Sequence, residues 1–356
     1  MTAIHRLSFF AAAALLLAAC TSANGPLPRG KASAALDEAF AAYLQDVADH
    51  NEDLHGIMVL QHGKVLEEKL FMPDTAHILN SVSKTFTSTA VGFAISEGLL
   101  SLDDKIVDLF PDSVPENPQE ALSKITLRHL LTMNSGHGQD PSGPARRYED
   151  WINGFMECPI EYEPGTCYCY NSMGTYILSA AVQKVSGQKV VDYLQDRLWT
   201  PLGIEHPRWQ ESPAGVNTGG WGLYLKLEDL ARMGTCLLNG GKFRGKQVIP
   251  ADWVAEMSKN QVPSVNAGMN EHQLQDILAD VDNPARNGFL PENNDWVQGY
   301  GYQMWRCRHG AFRADGANGQ YIIVIPDKDA VVVTTANIRD MQEEISLIWD
   351  HILPAL

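Results

Sequence analysis

The sequence is short of positive charge. Against 43 Asp and Glu stand 27 Lys and Arg, a formal net charge of −16. Nucleic-acid binding needs a basic face for the phosphates, so that class of partner is excluded. The acidity reads as a solvated surface. Familiar hydrolytic and nucleotide-binding signatures are missing too. Without Gly-x-Ser-x-Gly, the nucleophile elbow of one large hydrolase class is absent. Without His-Glu-x-x-His or His-x-His, and with no second pair at finger spacing to Cys167-x-Cys169, no zinc ligand set is visible. "GGKFRGKQ" (240–247) has the spacing of a phosphate loop, but it ends in Gln247 where Ser or Thr is needed and follows a helical pattern. It reads as a turn. There is no internal repeat and no low-complexity block.

Long apolar runs are scarce. The run in "MTAIHRLSFFAAAALLLAAC" follows Arg6 and lasts about a dozen residues, too short to span a bilayer and right for a signal-peptide core. "LAAC" (Leu17 to Cys20) resembles a bacterial lipobox, whose Cys is lipidated and becomes the new N-terminus. Residues 1–20 are therefore expected to be a lipoprotein signal peptide, with Cys20 lipidated; the alternative is a plain secretory signal with a chance Cys. Thr21 stands where Asp is associated with inner-membrane retention, which favours a periplasm-facing anchor on the outer membrane. The membrane would be met through that anchor only. Residues 21–34, beginning "TSANGPLPRGKAS", are expected to form a flexible tether. Cysteines are few, six in all. If Cys20 carries lipid, five remain, so at least one thiol is free. An exported chain can oxidise the others, and Cys158 with Cys167 or Cys169 would close a short loop.

What remains, residues 35–356, is long enough for one large core. Residues 35–50 have helical apolar spacing, and "GIMVLQHGKVLEEKLFM" reads as two strands about a His62-Gly63 turn. Helical patterns dominate from residue 81 to about residue 290, and β-branched or alternating stretches return from Gly299. A last helix, "MQEEISLIWDHIL", follows. The pattern predicts an α+β fold in which the two chain ends share one antiparallel sheet. The sheet lobe covers residues 35–80 and 299–356, the helical lobe residues 81–298, and a site is expected in the cleft between them.

Ser-x-x-Lys occurs twice, as Ser81–Lys84 and Ser186–Lys189. Ser81 opens a long helical run that Asn80 or Ser81 can cap. A serine there has its own backbone N–H free for a developing oxyanion, at the positive end of the helix dipole. Lys84 lies one turn on, on the same face, where a dry cleft would let its amine take the hydroxyl proton. Ser186 ends a helix before Gly187, at the negative end of the dipole. It reads as a chance match.

Around Ser81 the chain resembles the serine β-lactamase and penicillin-binding-protein superfamily, in particular its class C-like serine hydrolases. "SVSKTFTSTAVGFAISEGLLSLDDKI", "ITLRHLLTMNSGH", "EPGTCYCYNSMGTYILSAAVQKVSG", "GGWGLYLKLEDLARMG" and "GYGYQMWRCRHGAFRADGANGQYIIVIP" carry the resemblance in the expected order. It covers roughly residues 36–350. It implies a five-stranded antiparallel sheet flanked by helices, with a mainly helical lobe. It also implies Ser81 as nucleophile, Lys84 as its partner, and Tyr170 as a proton shuttle with a pKa lowered by the Lys84 charge. Alternation would send Tyr168 and Tyr170 the same way; the motif alignment selects Tyr170. Ser172 stands where Asn is usual, and Ala314-Asp315-Gly316 replaces Lys-Thr-Gly. The resemblance places Ser172, Gly316 and the N–H groups of Ser81 and Ala317 at the substrate and oxyanion. The cation for a substrate carboxylate is missing, and Asp315 would repel one unless Arg313 or a loop Arg screens it.

The expected function is therefore a serine hydrolase cleaving small ester or amide substrates through an acyl-enzyme, with no metal or organic cofactor. The alternatives are a β-lactamase or D-Ala-D-Ala carboxypeptidase, and a non-catalytic penicillin-binding-like module. His129, His137, Trp151, Trp221 and Trp296 are read as packing residues, and the polar segment 261–298 as a candidate specificity loop.

Overall fold

The computed structural model describes residues 25–266 and 268–356. Residues 1–24, with the expected signal peptide and Cys20, lie outside the described residues. The core of the molecule is a six-stranded sheet with antiparallel neighbours. Its strands are β1 (Leu54–Gln61), β2 (Lys64–Leu70), β3 (Trp305–Arg306), β4 (Phe312–Gly316), β5 (Gln320–Ile325) and β6 (Ala330–Ala336), in the order β2-β1-β6-β5-β4-β3. The two chain ends thus meet at the β1–β6 pair, where Val59 lies opposite Val332. The strand not expected from the pattern is β4, which makes the sheet six-stranded rather than five-stranded. Gln303 has φ +65° and ends the extended run expected over 299–308, so only the dipeptide Trp305–Arg306 joins the sheet edge.

Side chains alternate across a strand, and here both faces are covered. Met58, Leu60, Ile322, Val324, Val331 and Val333 enter the larger core with the helical lobe. Ile57, Val59, Ile323 and Val332 pack with Trp349 and Phe40 from the first and last helices. Burial on both sides explains why "AVVVTTA" is β-branched rather than alternating. The helices used below are α1 (Ala34–Asp49), α2 (Ser83–Ser96), α3 (Ser172–Ser186), α4 (Leu227–Leu238) and α5 (Met341–Leu347). Helix α4 falls in the helical half of the sequence yet lies on the sheet. A Cβ on Gly234 would meet Val331 Cγ1 at 2.5 Å. Close approach explains a mid-helix glycine that otherwise costs about 1 kcal/mol.

Residues 25–34 are not the flexible tether expected of them. Leu27 is buried, and its N–H donates to Glu228 Oε1 at 2.9 Å. Pro28 O accepts from the Val65 N–H, and the Gly30 N–H donates to Val65 O, both at 2.8 Å. The segment runs along β2, and Ser33 then caps α1. An apolar side chain with a core to enter outweighed local Pro/Gly composition. The five described cysteines are all buried, free thiols, so the loop-closing pairing of Cys158 is not formed.

Candidate active site

Helix α2 is buried on nearly every side, and only its N-terminal end reaches a cleft. The chain arrives there through a 3₁₀ turn, Asn80–Val82, in which Asn80 has φ +46°. Neither Asn80 nor Ser81 caps α2; the N-cap is Val82, without a side-chain bond. The Asn80 amide instead donates to Ala317 O at 2.7 Å. That bond joins the Ser81 turn to the loop after β4. Gly316 completes the junction, because a Cβ there would stand 2.3 Å from Leu79 O. The freedom at Gly316 therefore serves the approach of β4 to the Ser81 turn; Gly316 does not line the cleft.

Lys84 is fully buried, and its Nζ donates to Ser81 Oγ (2.8 Å), Ser172 Oγ (2.9 Å) and Gly220 O (2.8 Å). Burial pushes its pKa down to about 7, against the opposing pull of Asp140 and Asp315. An amine that titrates there loses its proton readily. Neutral, it keeps two donors for Gly220 O and Ser172 Oγ and offers its lone pair to the Ser81 O–H. Ser172 thus meets the lysine with a hydroxyl where an amide is usual. Its own N–H donates to Asp140 Oδ1 at 3.3 Å, and Asn171 caps α3 beneath it.

Tyr170 shares a hydrogen bond with Ser81, stacks on Trp305 at 5.3 Å, and lies under Lys84 Nζ, 4.7 Å from the ring centroid. The expected lowering of its pKa does not occur. Burial pushes the phenol above its ordinary value, and the Ser81 bond opposes this only in part. Lys84 contacts the ring face rather than the oxygen, which is the physical reason. Tyr170 is therefore a neutral donor. Tyr168 enters the same aromatic cluster against Tyr300 and Trp305 but does not itself line the cleft.

The cleft holds about 330 Å³ and is lined by Ser81, Tyr170, Asp315 and Ala317 on one side. Trp296 and Asn266, from the segment expected to set specificity, form part of its wall, with Trp305 and Arg339. Trp296 is thus a cleft residue, whereas Trp151 and Trp221 pack together at 6.2 Å away from it. Asp315 is not a bare negative charge. Arg313 Nε donates to Asp315 Oδ2 at 2.8 Å, with both side chains buried. His137 is buried, and burial lowers its pKa to about 4. It bonds Ser135 Oγ at 2.9 Å, and Ser135 Oγ accepts from Asn171 Nδ2 at 3.2 Å. His137 therefore supports the Tyr170–Ser172 turn from below.

The second Ser-x-x-Lys pair is not brought together. Ser186 Oγ donates to Val182 O, and Lys189 pairs with Glu211 on the surface. Gly187 adopts φ +70° at the helix end, as its position implied. Sequence reasoning did not find Asn80, Asp140, Gly220 or Arg339. Gly220 acts through a carbonyl and carries no side-chain signal, and the other three lie in loops without periodicity.

The fold is that of a known family. The Beta-lactamase family model matches residues 43–355, and the chain belongs to that family, hydrolases of the serine β-lactamase fold. It is 26% identical over 361 residues to 6-aminohexanoate-dimer hydrolase of Paenarthrobacter ureafaciens, covering 94% of this chain and 86% of that one. It is 28% identical over 288 residues to Beta-lactamase of Escherichia coli (strain K12), covering 73% and 74%. A penicillin-binding protein homologue of Caulobacter crescentus superposes with a TM-score of 0.68 at 15% identity, over 92% of this chain and 99% of that one.

Proposed function

We propose that the protein hydrolyses ester or amide bonds through an acyl-enzyme on Ser81. One observation carries this reading: a buried amine, Lys84, with a pKa near 7, 2.8 Å from the Ser81 hydroxyl. Neutral Lys84 takes the Ser81 proton as Oγ bonds to the substrate carbonyl carbon. The negative charge then on the carbonyl oxygen meets the N–H groups of Ser81 and Ala317. As the carbonyl reforms, the leaving oxygen or nitrogen takes a proton from the Tyr170 O–H. The Lys84 ammonium gives up the proton that the Tyr170 oxygen regains, so both groups are reset before water enters. Water enters by the reverse sequence and releases the acid. The name of the Paenarthrobacter relative, a hydrolase of an amide dimer, favours amides beside esters.

A second reading takes carboxylate-bearing substrates, as a β-lactamase or D,D-peptidase does. Two features favour it: Arg313 neutralises Asp315, and Arg339 lines the cleft with no ion pair among the described residues. Hydrolysis of a short-chain p-nitrophenyl ester beside nitrocefin, in wild type and Ser81→Ala, separates the readings. Ester turnover lost in the variant, with nitrocefin untouched, is expected. Rapid nitrocefin turnover selects the second reading. Turnover that survives in Ser81→Ala removes Ser81 as nucleophile, and inertness to every serine-directed reagent leaves a non-catalytic binding module.

A further inference from the structure

We propose that the face on which the first described residues are fixed is a docking surface for anionic phospholipid headgroups. The position of the chain there is rigidly set. Gly25 O accepts from Arg232 Nη2 at 3.0 Å and Arg244 Nη2 at 2.7 Å, and Pro26 O from Arg244 Nη2 at 3.1 Å. Beside this point is a recess of about 780 Å³, bounded by Gly25, Pro28, Gly63, Lys242 and Arg244. Cys20 precedes Gly25 by five residues, a reach of at most about 17 Å. Lipid on Cys20 would hold this face near a bilayer.

The charge of the face suits that position. It is built from residues 25–33 and 61–66 and from the hairpin segment 240–249. These stretches carry Arg29, Lys31, Lys64, Lys242, Arg244 and Lys246 and no Asp or Glu. At the chain's average composition they would hold about two basic and about three acidic residues. Lys31, Lys64, Lys242 and Lys246 are exposed and make no ion pair among the described residues. Of the acids that border the face, Glu68 and Glu228 are engaged by Arg29 and Arg232, each at 2.9 Å, and Asp329 by His62 at 2.8 Å. A chain of net charge −16 thus presents four exposed lysines without an ion pair among the described residues beside the point where its N-terminal segment joins the fold. Basic residues beside an anchor are drawn to anionic lipid within a Debye length. The hairpin "KFRGK", which resembles a phosphate loop only in spacing, acquires a role toward phosphate of another kind.

Docking in this way leaves the active site open. Gln61, beside the His62–Gly63 turn of the proposed face, pairs with Ala330 at the start of β6. The cleft residue Arg339 follows the other end of β6, roughly 20 Å away along the strand. The cleft then faces the aqueous side.

The test uses the full chain, purified from membranes and placed on phosphatidylcholine vesicles with or without phosphatidylglycerol. Lysines are labelled with an amine-reactive reagent and read by mass spectrometry. Labelling of Lys242 and Lys246 is expected to fall at least threefold on phosphatidylglycerol vesicles and to recover in 0.5 M NaCl, while Lys124 does not change. In Lys242→Glu/Lys246→Glu, Lys31 and Lys64 should label alike on both vesicles, with ester turnover unaltered. Equal labelling of Lys242 and Lys246 on the two vesicle types overturns the proposal, as does failure to stay on either.

Discussion

Replacing Lys84 by Met is expected to abolish turnover and yet stabilise the protein. The side chain is fully buried, and its pKa stands near 7 against 10.5 for the free group. A shift of about 3.5 units at about 1.4 kcal/mol per unit corresponds to roughly 5 kcal/mol of stability withheld at neutral pH. Methionine removes that penalty but leaves Gly220 O and two hydroxyls without their donor, a cost of about 1–3 kcal/mol. The net gain should be about 2–4 kcal/mol. The sign with pH follows. Between about pH 7 and 10.5 the unfolded lysine binds a proton that the folded one does not, so wild type gains stability as pH rises. From pH 7 to 9 wild type should recover about 2 kcal/mol relative to Lys84→Met, a difference in which other titrations cancel. Urea unfolding of both proteins at pH 7, 8 and 9 measures it. A variant less stable than wild type at pH 7, or a difference that does not change with pH, would refute a desolvated amine at this position.

The same titration predicts that kcat/KM for an ester rises through about pH 7 and then levels, because only neutral Lys84 accepts the Ser81 proton; a profile flat from pH 5.5 to 8.5 removes Lys84 as base. Tyr170→Phe keeps the stack on Trp305 but removes the proton donor, so kcat should fall about 10²–10⁴-fold with KM little changed. An equal loss in binding would instead assign Tyr170 to substrate contact. Asn80→Gly suits the positive φ but deletes the bond to Ala317 O. Losing that bond should lower kcat roughly tenfold, about 1.4 kcal/mol, without moving the unfolding midpoint appreciably. A shift in KM alone would mean that Asn80 does not position the oxyanion donors.

The α+β class, the meeting of the chain ends in one sheet and the helix end at Gly187 were all legible in sequence. Each rests on a local rule: strand alternation, helical periodicity, or the polarity of a helix end beside Gly187. The sixth strand, Phe312–Gly316, was not legible as a period, because "FRADG" mixes charged and apolar residues that the fold buries alike. The tether over 25–34 was misread because composition reports turn propensity, while Leu27 answers to a core built from distant residues. The Tyr170 pKa was misjudged in the same way, since spacing brings a lysine near but does not say which part of the ring it meets.

By itself the sequence determined which residue types could carry the chemistry and their order along the chain. It placed Lys84 one turn from Ser81, since three residues make one helical turn wherever the helix lies. The tertiary structure alone decided that this lysine is dry. Ser172 and Gly220 O, 88 and 136 residues away, close around it. Likewise Arg313 meets Asp315 across alternating positions of β4, but only burial of both turns the pair into a neutralised floor for the cleft. Desolvation depends on what the rest of the chain packs above a group, and no local stretch records it.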